Sequence, residues 1–136
     1  MGLLFNFSPV SMVKKAIDKW SPRKCENEKD FENSLYSFLH KHFEDVQITK
    51  QYAVGRTKAD LNVGGKVIIE IKKDLQSTAQ YDRLIGQLEE YKKWKGSIVI
   101  LLTGETDPNL KKKLASRAKE GMFLTMDDPA FYVIEK

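Results

Sequence analysis

Apolar positions recur at helical spacing over residues 8–20, where Val10, Val13, Ile17 and Trp20 fall on one stripe. Ser8 stands where a cap is expected and Pro9 suits the first helical position. Pro22 then breaks the pattern, so residues 1–25 are expected to form an N-terminal appendage and 26–136 the main domain. A second helix is expected over 28–43, capped by Asn27, with Glu28 and Asp30 in its first turn and Phe31, Leu35, Phe38, Leu39 and His42 facing inward. Three strand candidates follow at 46–54, 58–63 and 66–73, the last two joined by Gly64-Gly65, a tight-hairpin signal. The third strand, VIIEIKK, is dense enough in isoleucine and valine to be a central strand covered on both faces. Ser77 and Gln80 have the spacing of a capping box for a helix over 78–95, which Gly96 should stop. A buried strand at 98–103 comes next, then a helix opened by Asp107-Pro108 and ended near Glu120 by Gly121, then short strands at 122–125 and 131–134. Hairpin-joined strands followed by strand–helix–strand crossovers imply an α/β fold, a mixed central sheet flanked by helices.

Composition narrows the setting. The chain has 136 residues, 41% hydrophobic and 31% charged, which suits one domain with one real core. A formal net charge of +4 favours a polyanionic partner. The single cysteine, Cys25, excludes an internal disulfide and a CxxC zinc site and points to a reducing, cytoplasmic compartment. The start MGLLFNF lacks the basic residues of a signal peptide, and no apolar run approaches the length of a membrane span.

Three residues carry the candidate chemistry. Glu70 and Lys72 are two apart on the third strand and share one face, and a strand buried on both sides should not hold a charged pair without cause. Across the hairpin lies Asp60. If Gly64 and Gly65 alone form the turn, Asp60 pairs with Ile69, one position from Glu70, and a small register shift would set both carboxylates around one point. Two such carboxylates suit a hard divalent cation such as Mg2+. The ion would hold a scissile phosphate and acidify a bound water, with Lys72 placed to orient that water or to offset charge on phosphorus.

The segment GRTKADLNVGGKVIIEIKK, followed by RLIGQLEEY, resembles the PD-(D/E)xK, or restriction-endonuclease-like, nuclease superfamily over about residues 28–103. That resemblance implies an αβββαβ core in the 26–136 domain and a Mg2+-dependent deoxyribonuclease, with Mn2+ able to substitute. It implies Asp60 and Glu70 as metal ligands, Lys72 as the catalytic lysine and the Ile71 backbone carbonyl as a further metal ligand. Ala59 stands where the family usually has proline. Gln87-Leu-Glu-Glu-Tyr91 resembles the QxxxY motif of the RecB-like branch, in which the glutamine supports the site and the tyrosine lies near the nucleic acid. Such families often add an acid from the first helix of their core, here the one expected over 28–43; Glu28 fits the spacing to Phe31 and Leu35, with Glu32 as competitor.

Arg56 and Lys58, on the hairpin entering the site, are the better phosphate contacts. Lys92, Lys93 and Lys95 end the long helix and could neutralise phosphates, whereas most of Lys111, Lys112, Lys113, Arg117 and Lys119 are expected as a solvated helix face. Lys73 points away from the site, His40 and His42 diverge, Trp94 is a second stacking candidate, and Cys25 is expected to be inert. DNA is the expected partner; a homo-oligomer or partner protein held through the first helix is the other. The competing classes are a non-catalytic nucleic-acid-binding module and a protein-interaction module of the same fold.

Overall fold

The computed structural model describes Phe5, residues 8–124 and residues 129–136. Its elements are α1 (Pro9–Lys19), α2 (Glu28–His42), β1 (Ile48–Val54), β2 (Thr57–Val63), β3 (Val67–Lys73), α3 (Thr78–Tyr91), β4 (Ser97–Thr103), α4 (Pro108–Leu124) and β5 (Phe131–Glu135). The five strands form one sheet in the order β1-β2-β3-β4-β5. β1, β2 and β3 pair antiparallel, and β3, β4 and β5 pair parallel, so the sheet is mixed. The fold is α/β, with helices on both faces.

Each face of the sheet has its own apolar cluster. Odd residues of β3 (Val67, Ile69, Ile71) pack with α1 and α2 through Val13, Ile17, Trp20, Leu35 and Leu39. The even residue Ile68 packs with α3 and α4 through Leu84, Leu88, Leu110 and Leu114. A strand sandwiched in this way must be apolar on both sides, which explains the VIIEIKK composition. The segment expected as an appendage contributes Val13, Ala16, Ile17 and Trp20 to the first cluster, so the stripe of α1 is spent on its own chain.

Helix ends follow local chemistry. Asn27 accepts from the Asp30 amide at 2.8 Å, and Ser77 and Gln80 form the complete capping box. Ser8 precedes α1 but its side chain makes no cap hydrogen bond, contrary to expectation. α3 ends at Tyr91, not near 95; the amides of Lys93 and Trp94 turn back on Glu90 and Tyr91 in a tightened last turn. α4 runs past Gly121 to Leu124, because one helical glycine costs only about 1 kcal/mol. The strand expected at 122–125 therefore does not form: 122–124 are helical, and 125 lies outside the described residues.

Two hairpin details set the site. The β1–β2 turn is Gly55-Arg56, where Gly55 takes φ +59° and a Cβ would stand 2.6 Å from Glu90 Oε1. The β2–β3 loop has three residues, Gly64 to Lys66, because Val63 pairs with Val67. The expected two-residue turn is thus corrected by one position, and Leu61, not Asp60, pairs with Ile69.

Trp20 is 2% exposed and donates to Ser34 Oγ at 3.0 Å. Trp20→Ala should cost about 3–5 kcal/mol in urea unfolding. A loss below about 1 kcal/mol would mean that α1 is not part of this core.

Candidate functional site

The β2–β3 ladder runs from Val63–Val67 to Leu61–Ile69 and stops. Carried one step further, the register sets Asp60 across from Glu70, the juxtaposition that a small shift was expected to give. The strands part there instead. The face pattern shows why: Ile48 and Leu61 pack on the α1/α2 side, whereas Val54 and Ala59 pack on the α3 side. Residues of equal parity on one strand should share a face, so β1 and β2 bend together between these points. Gln51, with φ +52°, lies at the bend, in line with Asp60 in a register that is otherwise continuous.

The parting leaves amides of β3 without strand partners. Asp74 donates to Thr103 of β4, so even-numbered amides face β4 and odd-numbered amides face β2. Beyond Ile69 the odd amides are taken by side chains. Asp60 Oδ2 accepts from Ile71 N–H at 2.7 Å, and Glu28 Oε2 accepts from Lys73 N–H at 2.8 Å. Two carboxylates thus replace a missing strand.

Glu70 lies on the α3 side, 4% exposed. Tyr91 donates its hydroxyl to Glu70 Oε1 at 2.6 Å, Gln87 Nε2 stands 3.4 Å from Oε2, and Lys72 Nζ is 3.4 Å from the same oxygen. Gln87 and Tyr91 are one turn apart on α3 and reach the same carboxylate. Tyr91 is fully buried, so its ring faces Glu70 and is not open to stacking. Trp94 is half-buried, donates to Ser97 O and meets Tyr52 edge-on.

α2 supplies both acids left open by the sequence. Glu28 is exposed and binds the Lys73 amide; Glu32 is 3% exposed and accepts from Gln51 Nε2 at 2.6 Å and Lys29 Nζ at 3.0 Å. Gln51 Nε2 also stands 3.4 Å from Asp60 Oδ1, so it bridges Glu32 and Asp60. Gln51 carried no signal in the sequence, since an isolated glutamine in a weakly alternating strand looks like any solvated position. Thr57, whose Oγ1 is 3.5 Å from Gln87 Nε2, is likewise new.

The remaining candidates fall around this centre. Arg56 and Lys58 are exposed on the bent half of the hairpin. Lys72 and Glu28 line a cleft of about 180 Å³ with Lys73, Leu75, Gln80 and Arg83. A larger hollow of about 310 Å³ lies at the Gly64-Gly65 loop, away from the acids. Lys73 pairs with Asp74, Lys92 with Glu89, Lys93 with Glu90, Lys111 with Glu135 and Arg117 with Glu89. Lys113 lies over the Tyr81 ring. His40 and His42 stack on Tyr36 and Phe38 and do not converge; His42 is half-buried, less inward than expected. Cys25 donates weakly to Arg23 O.

Crowding of negative charge marks the centre. Burial, then the neighbouring Glu70 charge, pushes Asp60 from an ordinary 3.8 up to about 7, against the lowering effect of the Ile71 amide; Glu32 and Glu28 add to the rise. Burial also raises Glu70, although Tyr91 and Lys72 pull it down. Burial beside these acids raises Tyr91 as well, so it remains a proton donor. Among the described residues, no three His, Cys, Asp or Glu side chains form a metal cage by themselves. Mg2+ does not require one, since it is commonly held by one or two carboxylates and several waters. Asp60 and Glu70 fit that donor set. No protein-family model matches the chain, and no curated protein or solved structure matches it either. Among the described residues no helix is long and apolar enough to cross a membrane.

The raised Asp60 value makes stability depend on pH. The fold favours the protonated form, so this contribution is complete below about pH 4 and is lost as pH rises through about 7. Asp60→Asn, which is neutral and keeps an acceptor for Ile71, should therefore melt higher than wild type at pH 8 without divalent ions. The gain should shrink as pH falls from 7 to 4. An equal or lower melting temperature at pH 8 would show that Asp60 is not held in a charge-repelling site.

Proposed function

We propose that this protein is a Mg2+-dependent nuclease that hydrolyses phosphodiester bonds in DNA, built on a restriction-endonuclease-like core. The observation that carries this reading is the meeting of Asp60, Glu70 and Lys72 where the β2–β3 ladder opens. The order α2-β1-β2-β3-α3-β4 is that of an αβββαβ core and supports the resemblance drawn from the motif.

Asp60 and Glu70 would hold the ion. The Ile71 carbonyl, which shares a strand edge with the amide that donates to Asp60, would be the third oxygen of the set. When bound, the ion supplies positive charge against the scissile phosphate and lowers the pKa of its water. Lys72, an ammonium beside Glu70, orients the attacking water and offsets charge that develops on the phosphate oxygens. Tyr91 and Gln87 fix the Glu70 carboxylate from behind, the support that metal-binding carboxylates generally need. Glu28 and Glu32 add negative charge near Asp60, which strengthens attraction for a cation.

DNA as substrate is supported by the net charge of +4 and by exposed Arg56 and Lys58 on the strand pair that leads to Asp60. Wild-type protein incubated with linear, single-stranded and branched DNA should cut at least one form with Mg2+ or Mn2+ and none with EDTA. Asp60→Ala and Lys72→Ala should each lose roughly 10²–10³-fold in rate, the scale of losing one group that stabilises transition-state charge. Cleavage by either variant at the wild-type rate would remove that residue from the mechanism. Salt-sensitive DNA binding without cleavage of any form would favour a non-catalytic binding module.

A further inference from the structure

We propose that Gln51 is a positioning residue, whose amide holds the Asp60 carboxylate against the Ile71 amide and so sets the mouth of the cation site. That Gln51 sets the mouth of a cation site rests on the nuclease reading above; that it holds Asp60 in place does not.

The first observation is the backbone. Gln51 lies within a strand, yet it takes φ +52°, the left-handed region that a side-chain-bearing residue rarely enters. Such a conformation persists only where its surroundings over-determine it. Here they do. Lys50 Nζ donates to Asn33 Oδ1 at 2.6 Å, and Gln51 Nε2 donates to Glu32 Oε1 at 2.6 Å. Two successive residues of β1, the one at the bend and the one before it, are therefore tied to two successive residues of α2.

The second observation is where the bend falls. Gln51 is in line with Asp60, and beyond that point β2 leaves β3. Were β1 and β2 straight, the ladder could continue, and the Ile71 amide would pair with backbone instead of Asp60. The left-handed residue thus coincides with the opening that frees β3 for the site.

The third observation is chemical. The Gln51 NH2 group has two donors and faces two carboxylates, Glu32 at 2.6 Å and Asp60 at 3.4 Å. A neutral amide between two acids separates them and orients both. A glutamate at this position would add a third negative charge, and an alanine would leave the buried Glu32 with Lys29 as its remaining side-chain donor.

Glycine separates backbone from side chain. Gln51→Gly keeps the left-handed conformation without strain and removes the side chain with its amide. The full chain would be tested by Mn2+ titration calorimetry, thermal melting and residue-resolved amide exchange without metal. The expected result is a retained melting temperature, a Mn2+ affinity lower by roughly 10- to 100-fold, and faster exchange at Ile71 with Ile69 unchanged. Gln51→Asn, which tolerates the same backbone but is one methylene short, should shift in the same direction and guards against a folding defect of the glycine variant. Wild-type Mn2+ affinity together with wild-type Ile71 protection in both variants would overturn the proposal. So would faster exchange at Ile69 and Ile71 alike with a lowered melting temperature, which marks general loosening. If wild type binds no Mn2+, the nuclease reading fails. The Ile71 exchange comparison then decides by itself whether Gln51 positions Asp60.

Discussion

Ile71 is the hinge of the structure: its amide leaves the sheet ladder and donates to the Asp60 carboxylate at 2.7 Å. A backbone donor in a central strand must be satisfied, and leaving it unpaired would cost about 1–3 kcal/mol. β2 does not supply the acceptor, because the β1–β2 pair bends away after Leu61. Asp60 supplies it and is thereby drawn to the edge of β3, next to Glu70. Glu28 repeats the arrangement one step along, at Lys73. The same pair of substitutions closes the hydrogen-bond inventory of β3 and assembles carboxylates at one end of a strand.

Much of this was legible in the sequence, and the parts that were not have physical reasons. The order of elements followed from hydrophobic period and from Asn27, Ser77 and the glycine turns, because those signals are local. The register that brings Asp60 toward Glu70 was approached within one residue; the miss lay in the loop, since Gly64-Gly65 reads equally as a two-residue turn or as part of a three-residue one. The bend at Gln51 was invisible, because it is fixed by hydrogen bonds to Asn33 and Glu32 some 17–19 residues away. For the same reason both Glu28 and Glu32 approach the centre, where spacing on one helix suggested a choice between them. Tyr91 stood out through its motif, but only the packing of α3 on β3 directs its hydroxyl to Glu70.

The site is built at an energetic disadvantage that the rest of the fold offsets. Four carboxylates influence one another near Asp60, while among the described residues Lys72 and Lys29 are the cations directly paired with them. Isoleucines and valines of β3 and β4 secure the strand from both faces, and the capping box of α3 fixes the helix that carries Gln87 and Tyr91. A rigid strand and a rigid helix thus present acids that would be more comfortable with a cation between them. Repulsion stored in this way is a common property of ion-binding and catalytic centres. It links the sequence oddity of a charged pair inside VIIEIKK to the proposed chemistry.

The most direct measurement is a crystal structure of the protein soaked in Mn2+, with anomalous scattering recorded at the manganese edge. The account predicts one strong peak within about 2.1 Å of carboxylate oxygens of both Asp60 and Glu70, on the side of the Ile71 carbonyl. A soaked crystal with no peak between these two carboxylates, or with manganese bound only elsewhere, would contradict it.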